Sequence, residues 1–133
     1  MCEIPPVRCV AIIDDDESVC RSLARLLRAS GIRSECYSSA EAFLEDGRGN
    51  AFDCLILDIH LGGMSGIELQ ESLAKSGSPS PVIFITAHDD PDMRERAMRS
   101  GCVAYLTKSE PFSTVLAAVA AAASPVSERR IHL

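Results

Sequence analysis

The stretch Val7-Arg8-Cys9-Val10-Ala11-Ile12-Ile13-Asp14-Asp15-Asp16 decides the fold. A short run of branched apolar residues follows Pro5 and Pro6 and stops abruptly on three acids, as a strand buried on both faces does. Beyond Asp16, read as a helix N-cap, apolar residues fall at Val19, Leu23, Leu26 and Leu27. This is the stripe of an amphipathic helix, and Gly31 sits where its C-terminal cap belongs. A strand, an acidic corner and a helix are thus set in sequence.

Outward from this unit the same alternation returns. Ile32 to Tyr37 reads as a second strand, and Ser38-Ser39-Ala40-Glu41 has the Ser-x-x-Glu spacing of a capping box for a short helix through Leu44, ended by Gly47-Arg48-Gly49-Asn50. Asp53 to Asp58 is a third strand, followed by a loop with Gly62, Gly63 and Gly66 and a helix carrying Ile67, Leu69 and Leu73. Val82 to Thr86 is a fourth, followed by a helix with Asp90 as N-cap, Pro91 at its first position and Gly101 as its stop. Val103 to Leu106 and a last helix with Phe112, Val115, Leu116 and Val119 complete five strand-helix pairs. Strands apolar throughout belong to a parallel sheet covered by helices on both faces. Right-handed crossovers make this a doubly wound α/β sandwich.

The chain has 133 residues, with 13 basic and 19 acidic side chains and a formal charge of −6. That is one domain's length, and 47% hydrophobic and 24% charged residues give it an ordinary globular composition. Acidic excess argues against direct nucleic-acid binding, because phosphate contacts need a positive field. The six cysteines, at positions 2, 9, 20, 36, 54 and 102, form no Cys-x-x-Cys pair and no zinc-type spacing, and read as small buried hydrophobes in a reducing cytosol. No apolar run reaches the roughly 18 residues of a membrane span, and the N-terminus has no basic region followed by an apolar stretch. The expectation is a soluble, cytoplasmic protein without a membrane partner. Ala117, Ala118, Ala120 and Ala121 fit either a close-packing partner face or plain helix propensity.

In a doubly wound sheet ligands bind outside the carboxyl ends of the strands. The first strand ends on Asp14-Asp15-Asp16, the third on Asp58, the fourth on Thr86, and the fifth runs through Thr107 to Lys108. An acidic run alone is usually a solvated face, Thr86 alone a strand-end hydroxyl and Tyr105 a core aromatic; convergence on one edge changes that reading. Crowded carboxylates repel unless a cation neutralises them, and oxygen ligation with water is what Mg²⁺ prefers. Asp58 is the best-placed nucleophile for a phosphoryl group, with Lys108 and Thr86 to bind the phosphoryl oxygens. Asp16, as the N-cap, lies outside this set.

These residues resemble the receiver domain of two-component response regulators, the CheY-like superfamily. The matching stretches are Ile12-Ile13-Asp14-Asp15-Asp16-Glu17, Leu55 to Gly66, Phe84-Ile85-Thr86-Ala87 and Ala104-Tyr105-Leu106-Thr107-Lys108, in the family's order. The resemblance implies a flavodoxin-like sheet with strand order 2-1-3-4-5 flanked by five helices, a receiver over residues 1–123, and a tail or the start of a linker over 124–133. It implies Asp58 as phosphoacceptor from a histidine kinase, a phosphotransfer protein or a small donor such as acetyl phosphate. It implies Mg²⁺ held by Asp15, Asp58 and the backbone carbonyl of His60, with Asp14 acting mainly through metal-bound water. Thr86 and Tyr105 match the switch pair. Their movement remodels the face of the fourth helix, fifth strand and fifth helix, where a second copy or an output domain docks.

Two features depart from the family. Lys108 is followed by Ser109-Glu110 before Pro111, where receivers usually have proline directly, often after a cis bond. A cis bond before serine costs about 2.5–4 kcal/mol, so either the loop is trans and rearranged or strain is stored there. Gly62 replaces a usual proline, leaving that loop less constrained. His60 and His88, each two residues past a site residue, read either as exposed loop histidines or as tuners of phosphoryl lifetime. Two rival functions are a receiver-like module working without phosphorylation and a Mg²⁺-dependent aspartyl-phosphate phosphohydrolase. The latter lacks a second acid at position 60 and room for a cap.

Overall fold

A computed structural model describes residues 9–46, 52–77 and 80–122. Val7 and Arg8, Cys2, the Gly47-to-Asn50 stop and the tail expected over 124–133 lie outside them. Strands and helices alternate as β1 (Cys9–Ile13), α1 (Glu17–Ala29), β2 (Arg33–Tyr37), α2 (Ala40–Asp46), β3 (Cys54–Asp58), α3 (Gly66–Lys75), β4 (Val82–Thr86), α4 (Pro91–Arg99), β5 (Ala104–Thr107) and α5 (Phe112–Ala122). The strands pair in parallel in the order β2-β1-β3-β4-β5, as expected. Every residue of β3 and β4 is buried, while edge strand β2 carries Arg33 and Glu35 toward solvent or a half-buried margin.

Because successive strand residues face opposite ways, the sheet divides its core in two. Val10, Ile12, Ile56 and Ile83 pack against Cys20, Leu23 and Leu27 of α1 and Val115 and Val119 of α5. Ala11, Ile13, Leu57 and Phe84 pack against Phe43 of α2, Ile67, Leu69 and Leu73 of α3 and Ala97 of α4. Two helices on one face and three on the other are what a doubly wound sheet requires.

The helix ends confirm most of the expected signals. Asp16 caps α1 by accepting from the amides of Ser18 and Val19, and Asp90 caps α4 with Pro91 behind it. Gly31 and Gly101 follow α1 and α4 at φ 83° and 90°.

Three expectations are corrected. Leu26 is 41% exposed, and the buried stripe of α1 runs through Cys20, Leu23 and Leu27, because a helix that touches the sheet along one line leaves room for one of two adjacent leucines only. The capping box at Ser38 does not form: Ser39 Oγ accepts from Ala42 N instead, so the helix starts one residue later and Glu41 is left free to reach elsewhere. Cysteine burial holds for Cys20 and Cys54, whose thiols burial pushes up to about 12, but Cys9 and Cys102 are half-buried and Cys36, on the edge strand, is exposed.

Candidate functional site

Parallel register brings the acids together. Ile13 pairs with Leu57, so the next residues, Asp14 and Asp58, emerge side by side from β1 and β3; Asp58 pairs with Ile85, which sets Thr86 one step further along β4. Asp14 and Asp58 are 1% and 3% exposed, whereas Asp15 faces solvent. One carboxylate oxygen of each of Asp14, Asp15 and Asp58 lies within 4.8 Å of the others. Lys108, beyond β5, reaches across with Nζ 2.9 Å from Asp14 Oδ2 and 3.3 Å from Asp58 Oδ2.

The charges set each other's protonation. Burial, then the Asp14 charge, raises the Asp58 carboxyl above its ordinary 3.8, against the pull of the His60 amide, which donates to Oδ1 at 3.1 Å, and of Lys108. For Lys108 burial opposes the charge, yet the hydrogen bond to Asp14 and the charge of Asp58 prevail and hold the ammonium above its usual range. When ionised, three carboxylates against one ammonium leave two negative charges uncompensated at this edge, where Asp14 and Asp58 are buried and Asp15 meets solvent. Asp14 Oδ1 is used by the Asp16 amide at 2.8 Å, and its buried Oδ2 meets Lys108 alone among the described residues. Three converging carboxylates that share a single ammonium fit a hard divalent cation such as Mg²⁺, for which Asp14, Asp15 and Asp58 would supply the ligand set.

Sequence reading missed two parts of this site. Glu41 Oε2 accepts the Met64 amide at 2.9 Å, so α2 clamps the loop that follows Asp58; Gly63 in that loop has φ 81°, and a Cβ on it would stand 2.9 Å from the same oxygen. Gly66, first residue of α3, passes so close to the Asp58 backbone that a Cβ there would lie 2.1 Å from the Asp58 carbonyl oxygen. The Ser65-x-x-Glu68 capping box that starts α3 at this point was legible in the sequence, since Ser65 Oγ accepts from Glu68 N and Glu68 returns the bond. Nothing local marks Glu41, whose partner is 23 residues away.

Comparison with known proteins bears on this geometry. The family described as "Response regulator receiver domain" matches residues 10–120. The chain belongs to the response-regulator receiver family. Response regulator protein TodT of Pseudomonas putida is 38% identical over 121 residues, covering 91% of this chain and 53% of TodT. Thus the chain spans about half the length of the curated relatives it matches. The response regulator StyR superposes with a TM-score of 0.83 at 39% identity, covering 96% of this chain and 64% of that one. A response regulator from Burkholderia pseudomallei, solved with a phosphorylated aspartic acid, a calcium ion and citrate, superposes at 0.76 with 26% identity over 92% of this chain and 72% of that one.

In this receiver the loop after Lys108 is trans: the described residues contain no cis peptide, and Glu110 N donates to Thr107 O at 3.1 Å while the Thr107 and Ser109 hydroxyls share a 2.9 Å bond. Lys108 keeps its reach because its own amide donates to Thr86 O at 2.7 Å, anchoring it to β4 before the turn begins. The loop carrying Gly62 is tied by Glu41, which supplies the constraint that proline would. Thr86 is fully buried, and its hydroxyl donates to His88 O at 3.1 Å while accepting from His88 N at 3.2 Å. Tyr105, on neighbouring β5, is partly buried against the α4 side of the core. His60 and His88 are both exposed, with ring centroids 6.4 Å apart at the mouth of the site. On α5, Ala117, Ala120 and Ala121 are exposed.

Proposed function

We propose that this receiver is a phosphorylation-dependent switch whose phosphoacceptor is Asp58. The observation that carries the reading is the ammonium of Lys108 held between Asp14 and Asp58, at 2.9 and 3.3 Å, beside a third carboxylate. A carboxylate oxygen of Asp58 attacks phosphorus; the P–N bond of a kinase phosphohistidine, or the P–O bond of acetyl phosphate, breaks, and its electron pair leaves with imidazole or acetate. Asp15, Asp58 and the His60 carbonyl, with Asp14 through water, would hold Mg²⁺, which supplies positive charge opposite the transferring oxygens. Lys108 pairs with the new phosphoryl group, Thr86 donates its hydroxyl to it, and Tyr105 follows. The added charge of about −1.5 to −2 biases a two-state equilibrium, which is read on the α4-β5-α5 face by an output domain or a second copy.

The partners are a histidine kinase or phosphotransfer protein in the cytoplasm, and the chain catalyses only its own phosphorylation and dephosphorylation. Residues 1–123 form the receiver unit and 124–133 its tail or linker. Among the described residues no helix is long and apolar enough to cross a membrane, in keeping with that setting. Lys108 stays in reach of Asp58 despite the altered loop after it, which supports a phosphorylated switch over a module working without phosphorylation.

Intact mass after incubation with acetyl phosphate tests this. One phosphoryl adduct is expected with Mg²⁺, none with chelator and none for Asp58→Asn; an adduct on Asp58→Asn, or none on the native chain with Mg²⁺, defeats the reading. Decay of the adduct in His60→Ala and His88→Ala tests the two histidines as tuners of lifetime; unchanged rates would leave them as solvent-facing loop residues.

A further inference from the structure

The residues between Thr86 and Tyr105 form a continuous chain of contacts. Thr86 Oγ1 is held twice by His88, through the carbonyl at 3.1 Å and the amide at 3.2 Å. The next residue, Asp89, grips Arg94 on the first turns of α4 with two bonds, Oδ2 to Nη2 at 2.7 Å and Oδ1 to Nε at 3.3 Å. Arg94 in turn lies over the ring of Tyr105, its guanidinium carbon 4.9 Å from the ring centroid. Beneath it the Tyr105 hydroxyl is sealed from solvent, beside the backbone amide of Asp90.

Tyr105 therefore keeps its buried phenol against the Asp90-to-Arg94 segment, and the position of the ring depends on that segment. Arg94 is the holder on its open side. Thr86 cannot turn to a phosphoryl group without giving up His88 O, and His88 cannot shift freely while Asp89, adjacent in the chain, is bonded to α4. The tether thus couples both halves of the switch pair to one salt bridge.

We infer that Asp89 and Arg94 are positioning residues of the switch: a latch that holds the Thr86-to-Asp90 loop and the Tyr105 ring in the resting arrangement and so sets the threshold for activation. This rests on the switch reading given above. The latch is weak by design of its setting, since Arg94 and Asp89 side chains are 50% and 47% exposed and exposed pairs and cation-π contacts are individually small. Its loss should favour the active state by a factor of about two to ten.

The test is calorimetric titration of the full chain with beryllofluoride in the presence of Mg²⁺, for the native protein, Arg94→Ala, Asp89→Asn and the double variant. Arg94→Ala and Asp89→Asn should each bind two- to tenfold tighter, with unfolding temperature nearly unchanged, and the double variant should match the singles because all three break one latch. Arg94→Lys, which keeps the charge but loses the two-bond grip of the guanidinium, should fall between native and Arg94→Ala. Affinity unchanged or weakened in the single variants, or additive effects in the double, overturns the latch. Failure of the native chain to bind beryllofluoride instead overturns the switch reading beneath it.

Discussion

Asp58 is held in a state that its fold disfavours, and this has a measurable sign. Burial and the neighbouring Asp14 raise its carboxyl above 3.8, so the folded chain binds this proton more tightly than the unfolded chain does. Below pH 3.8 the group is protonated in both states and is neutral toward stability. As pH climbs from 3.8 through the raised folded value, the unfolded chain ionises more readily, and stability is lost until both forms are charged. Without Mg²⁺, Asp58→Asn should therefore be more stable than the native protein at pH 7, by about 1 kcal/mol or a few degrees in Tm. The gain should shrink to nothing as pH falls through that window. Thermal unfolding of both proteins from pH 3.5 to 7.5 checks this; a variant less stable than native at pH 7 would show that Lys108 needs Asp58 more than Asp58 needs solvent.

Packing between elements also constrains the Asp58 backbone, which the start of α3 abuts. Gly66 N donates to Ile59 O at 3.0 Å while its bare Cα leaves space for the Asp58 carbonyl. Helix propensity alone predicts that Gly66→Ala stabilises α3 by up to about 1 kcal/mol. The contact predicts the reverse, because the new Cβ would meet Asp58 O at 2.1 Å and Asp58 C at 2.9 Å, both backbone atoms that cannot swing aside. A loss of about 2 kcal/mol or more in denaturant unfolding, with little or no adduct from acetyl phosphate, is expected; a stabilised, phosphorylatable variant would mean that the close approach is readily relaxed. The same element shows what the sequence can and cannot tell. The strands and the acids at their ends were readable because apolar runs and abrupt polar stops are local signals, while the order of the strands in the sheet came only with the family resemblance. Ser38 and Ser39 offer equal caps, and only the packing of Phe43 and Ala40 into the core selects the second. Leu26 and Leu27 are equally apolar, and only contact with the sheet buries Leu27. Glu41, Gly66 and Arg94 make contacts between distant segments, for which no local pattern exists.

At the scale of the molecule, the sheet separates two apolar cores and gathers its anionic ends at one edge, in a chain whose net charge is already −6. A divalent cation can stabilise such a protein in two ways, by screening the overall charge or by occupying the site of Asp14, Asp15 and Asp58, and the two differ in their dependence on one residue. Site binding stabilises by RT ln(1 + [Mg²⁺]/Kd), about 2.7 kcal/mol at a hundredfold excess over Kd, or on the order of 10 °C for a chain of this size. Asp15 is exposed, so Asp15→Asn should leave the metal-free Tm nearly unchanged while removing most of the increment that Mg²⁺ gives the native chain. Screening would survive that substitution and would be reproduced by NaCl at equal ionic strength. Because the proton on Asp58 competes with the metal, the native increment should also diminish as pH is lowered, the slope reversing that of the metal-free protein. Equal Mg²⁺ increments in native and Asp15→Asn chains would place the stabilisation in the general field of the molecule and not at the strand ends.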